Sequence, residues 1–125
     1  MKKLVAVLNG ESQVEYERGK SLTEHQQRYL DIMNKKMDEG IPQGAGNIFS
    51  PDLEQKARFI ANQLMDAIKA GNEQLAAATM SWLATRLPDL QQVSAEEKEG
   101  QVTISLINDK PYIKAHPINF IKLNS

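Results

Sequence analysis

The chain has 125 residues, with fifteen basic against sixteen acidic side chains and a formal net charge of −1. That length fits one domain, 1–125, and so even a charge gives no pull toward nucleic acid or an anionic membrane. There is no cysteine, which excludes disulfides, thiol nucleophiles and thiolate metal sites together.

The chain opens with "KLVAVL", apolar on both faces, the pattern of a strand covered on two sides. Its apolar run is shorter than the roughly 7–15 residues of a signal peptide. No stretch approaches the roughly 18 apolar residues of a membrane span. A soluble cytoplasmic protein is the expectation. Asn9-Gly10 follows, a hairpin signal because both residues tolerate positive φ. A two-residue turn there sets Val5 opposite Val14 and Val7 opposite Ser12, giving a hairpin over 3–17.

The first helix is expected over about 22–39. Ser21 and Glu24 match a capping box, and Gly40 supplies the stop. Leu22, Gln26, Tyr29, Met33 and Met37 stack on its inward side, flanked by Leu30 and Ile32. "IPQGAGNIF" is expected to be a loop. Ser50-Pro51-Asp52 opens a second helix over 51–70, with Leu53, Ala57, Ile60, Ala61, Leu64 and Ile68 inward. Gly71 ends it and Asn72 caps a third helix over 73–87, apolar round a wide arc that includes Met80, Trp82 and Leu83. "SAEEKEG" is expected to be a solvated connection. "QVTISLI" alternates as a strand, with Val102, Ile104 and Leu106 on one face. After a turn at 108–111 come "YIKA" and "INFIKL", two further strands. The fold class is α+β: three central helices packed on a mainly antiparallel sheet built from an N-terminal hairpin and C-terminal strands.

Catalytic signals are sparse. His116 is the only histidine besides His25, and no HExxH spacing occurs, so no metal or other cofactor is expected. The Gly-x-Gly of "QGAGNIFSPD" lacks a third glycine or a lysine-serine pair and reads as a connector. The helix–Gly71–helix unit has no basic residue between Lys69 and Arg86, which argues against DNA binding. No Gly-x-Ser-x-Gly elbow appears, no catalytic residue is nominated, and the reading favours a non-enzyme. These motifs carry no family resemblance.

The anomaly is the first helix, whose apolar stripe admits His25, Gln26 and Lys36. Burying them inside a monomer costs free energy unless each finds a hydrogen-bonding partner. With Tyr29 and Met33 they form the mixed surface that suits a protein interface. Phe59, outside the second helix's stripe, joins them as an interaction candidate. The expected function is a non-catalytic interaction or regulatory module that pairs with itself as a homodimer or with another protein. The alternative is a small-molecule-binding protein or enzyme with a cleft near His25, Tyr29 and Arg86.

Overall fold

The computed structural model describes residues 3–19, 21–43 and 46–112. In chain order the elements are β1 (Lys3–Leu8), β2 (Glu11–Glu17), α1 (Glu24–Asp38), β3 (Ile41–Gln43), β4 (Gly46–Ile48), α2 (Leu53–Ala70), α3 (Glu73–Arg86), β5 (Gln92–Lys98) and β6 (Gln101–Ile107). The fold is α+β. Its main sheet has the order β2-β1-β5-β6, and β3 and β4 pair separately.

Each outer strand of the main sheet is held by a tight hairpin. Asn9 and Gly10 both have positive φ (52° and 85°), the requirement for a turn whose twist matches the strands. Val7 pairs with Ser12, but a register shift between Ala6 and Val7 sets Val14 opposite Ala6 rather than Val5. Glu99 and Gly100 repeat the positive-φ pair (52° and 81°) between β5 and β6. The two hairpins are joined by a parallel pairing of β1 with β5, from Val5–Gln92 to Leu8–Ala95. The sheet is therefore mixed. The Asn9 side-chain oxygen accepts from the Glu97 backbone N–H at 2.8 Å, tying the first turn to β5.

Leu4 and Ala6 of β1 and Val93 and Ala95 of β5 meet Ile60 and Leu64 of α2 and Met80, Trp82 and Leu83 of α3 in one buried cluster. Val5 and Val7 point to the opposite face of β1 and are buried as well. On the helix face, α3 lies toward β1 and β2 and α2 toward β6. Gly71 closes α2 in the left-handed conformation, and the Asn72 side chain accepts from the Leu75 N–H to start α3. Thr79 is fully buried because its hydroxyl is satisfied by the Leu75 carbonyl one turn back, at 2.8 Å.

Several expectations need correction. Residues 92–98, which span most of the anticipated charged connection, form the inner strand β5: Val93 and Ala95 face the core while Glu96, Glu97 and Lys98 extend past it. The 41–49 segment is not a plain loop but contains the β3–β4 hairpin. The cap of α1 is Thr23, boxed with Gln26, rather than Ser21 with Glu24. That of α2 is Asp52, boxed with Gln55, so Ser50 and Pro51 precede the helix. Val102 shares a face with Ile104 and Leu106 but is exposed, since it pairs with Glu97 beyond the core. The strands expected from "YIKA" and "INFIKL", and His116, lie outside the described residues apart from Tyr112.

The carbonyls at the end of α3 are met from a distance. Arg18 follows β2, and its guanidinium donates to the Ala84 carbonyl at 2.7 Å, to that of Leu87 at 3.4 Å, and to that of Leu90. Burial pushes its pKa below the ordinary value, opposed by the nearby charges of Tyr16 and Asp89. One planar group thus fixes the α3–β5 connection to the end of β2. Arg18→Ala should lower unfolding free energy by about 2–3 kcal/mol, the scale of charge-assisted hydrogen bonds to carbonyls that are then left unpaired. Arg18→Lys should recover only part of it, because an ammonium cannot span three carbonyls. Urea denaturation of the three proteins measures this, and an Arg18→Ala midpoint equal to the parent's would contradict it.

Candidate functional site

The capping box positions the start of the site. The Thr23 hydroxyl accepts from the Gln26 N–H at 3.1 Å, and the Gln26 side-chain oxygen accepts from the Thr23 N–H at 3.0 Å. Gln26 is therefore polar for a local reason. From this start α1 turns so that Leu30 and Met37, rather than Tyr29, enter the core. His25, Gln26, Tyr29, Ile32 and Lys36 are exposed and Met33 is half-buried. The stripe expected to be inward is thus partly an open flank.

A groove runs along that flank. Its largest part, about 720 Å³, lies between His25, Gln26 and Tyr29 of α1 and Leu75, Ala78 and Ser81 of α3, with Leu30 also lining it. Alanine and serine are too short to reach α1, so the space stays open. A second depression of about 320 Å³ is lined by Tyr29, Met33, Lys36 and Phe59, among others. Tyr29 and Leu75 line both depressions, so the two form one trough. It extends toward β2 through Gln26 and Ser81, and toward the β3–β4 hairpin through Ile41 and Phe59.

All six nominated residues, His25, Gln26, Tyr29, Met33, Lys36 and Phe59, line this trough. Phe59 is half-buried and packs against the core as well as lining the groove. Arg86 does not join them. Its guanidinium bonds Asp31 at 3.1 Å, and Asp31 projects from the flank of α1 away from His25 and Tyr29. Arg86 thus fastens the other side of α1, while the carbonyls at the end of α3 are met by Arg18. Lys56 holds the C-terminal half of α1 to α2 through Asp38 at 2.7 Å and Asn34 at 3.3 Å.

Sequence reasoning missed the opposite wall. Ala77, Ala78 and Ser81 read as ordinary small helix residues, and only their placement opposite α1 makes them a groove lining. Among the described residues no group of three or more His, Asp or Glu side chains gathers to hold a metal ion. None of the described helices is long and apolar enough to cross a membrane. The chain matches no protein-family model, no curated protein and no solved structure.

Tyr29 and Ile32 are 47% and 52% exposed, so glutamate at both positions should leave the fold intact. Each substitution should change stability by no more than about 0.5 kcal/mol, the usual range for surface positions. Thermal denaturation of the Tyr29→Glu, Ile32→Glu double variant checks this. A loss of several kcal/mol would show that this flank is structural packing.

Proposed function

We propose that this chain is a small non-catalytic protein-interaction module that docks an amphipathic helix in the groove beside α1. The supporting observation is the trough itself, an apolar-floored channel along a helix that leaves Tyr29 and Ile32 in solvent. An amphipathic helix set into such a channel buries its apolar residues at helical spacing. Tyr29 supplies a large rigid ring at small entropic cost, and Met33 adapts its shape to what it meets.

The charged groups of the groove do not converge as an acid–base pair must. His25 and Lys36 stand eleven residues apart on one helix, about 16 Å along its axis. Proton transfer needs partners within about 3 Å or one bridging water. Arg86, the third member of the alternative cleft, is engaged by Asp31 on the other flank.

A neutral-capped 18-residue helix of leucine, lysine and glutamate in heptad order is a suitable probe. Its titration into the ¹⁵N-labelled protein should move the amide signals of residues such as Tyr29, Met33, Leu75 and Ala78. The Tyr29→Glu, Ile32→Glu variant should respond at least tenfold more weakly. Shifts confined to the sheet face opposite the helices would rule out the groove as the docking surface.

A further inference from the structure

The face of the main sheet turned away from α2 and α3 carries Val5 and Val7 of β1, and both are buried, at 6% and 3% exposure. Their partners in register on this face are short or polar: Glu15 and Ser12 of β2, and Gln92 and Ser94 of β5. Glu15 is exposed, and the other three are half-buried. Such side chains flank a valine without roofing it, so the cover comes from another segment.

The chain after β6 supplies it. β6 ends at Ile107, opposite Gln92. The Gln91 side-chain Nε2 then donates to the Asn108 carbonyl at 2.8 Å, and that of Gln92 to the Lys110 carbonyl at 2.9 Å. Val93 and Ala95 enter the helix-side core, so alternation turns Gln92 to the other face and brings Lys110 over it. Two residues on, the Tyr112 hydroxyl donates to the Gly10 carbonyl at 3.2 Å. Gln92 pairs with Val5, and Gly10 lies in the turn beyond Leu8. The two anchors are therefore roughly 10–15 Å apart along β1, a span that two residues and a tyrosine side chain can cover. Val5 and Val7 lie beneath that path, and Tyr112 is half-buried.

We propose that residues 108–112 are a detachable strap over this second apolar layer, opening while the helix-side core stays closed. Its three bonds join neutral groups, and each is modest once competing water is counted. Residues 108–111 are exposed, so their release uncovers little beyond Val5, Val7 and the Tyr112 ring. The strap adds nothing to the cluster of Leu4, Ile60, Leu64, Trp82 and Leu83, and opening it sacrifices none of that packing. Its position thus controls whether the sheet presents an apolar strip, on the side of the molecule away from the groove.

The absence of cysteine lets a single thiol report the strap. Val7→Cys places it beneath the strap, and Val5→Cys repeats the measurement one pleat along the strip. Thr103→Cys gives the rate of an open thiol, since Thr103 is exposed on β6. Labelling by an aromatic disulfide reagent is followed against urea. Fluorescence of Trp82, the one tryptophan and fully buried, gives global unfolding in the same proteins. Val7→Cys should label more slowly than Thr103→Cys, yet through an opening at least ~tenfold more frequent than global unfolding. Its rate should be nearly flat in low urea, because little surface is exposed. Adding Tyr112→Phe should raise the rate about fivefold, the factor that corresponds to one neutral hydrogen bond, and Tyr112→Ala should raise it further. Labelling that follows global unfolding, with its full urea dependence, would overturn the separate opening. Labelling as fast as Thr103→Cys, or unchanged by Tyr112→Ala, would overturn the strap as the cover.

Discussion

The parallel pairing of β1 with β5 constrains everything between them. Parallel neighbours cannot be joined by a short turn, so the chain from the end of β1 must leave the sheet and return across one face. Here the connection first adds β2 to the edge of the same sheet and then returns through the three helices and the β3–β4 hairpin. Four strands at about 4.8 Å make a face roughly 19 Å wide, and packed helices sit 8–10 Å apart. Two helices fill it. α2 and α3 take those places and bury Ile60, Leu64, Trp82 and Leu83 against β1 and β5. α1 is left to lie mainly against α3, contributing Leu30 and Met37 to the core and keeping a flank in solvent. The groove is thus a consequence of sheet width rather than of an unusual loop.

Polar contacts reinforce this arrangement at its margins. Lys56 and Arg86 grip α1 from the sides away from the groove, through Asp38 and Asn34 and through Asp31. Arg18 gathers the carbonyls that follow α3. The groove flank carries its own polar solution in the Thr23–Gln26 box, which explains one of the three polar intrusions without a partner. His25 and Lys36 need no internal partner because they never enter the core.

What the sequence discloses follows the range of the interaction that decides each element. Asn9-Gly10, Gly71 and Asn72 act over a few residues, and the turn, stop and cap they specify are present. Two overlapping capping boxes precede α1, Ser21–Glu24 and Thr23–Gln26, and local pattern alone does not choose between them. β5 was hidden because only Val93 and Ala95 mark its inward face, and the strand it adds to is more than eighty residues away. Arg18 was invisible for the same reason: its acceptors lie 66 to 72 residues on. The candidate site was legible from α1, where misplaced polar residues break a regular stripe. Its facing wall was not, because alanines on a helix carry no signal of what stands opposite them.

The central claim is that α1 is the outer, least supported helix of the three. Native-state hydrogen exchange of the dilute protein measures this directly, since each amide reports the free energy of the opening that exposes it. The account predicts that amides from Met33 to Met37 exchange through local opening well below the global stability, while those of Trp82 and Leu83 exchange only on global unfolding. Equal protection of α1 and α3 would contradict it.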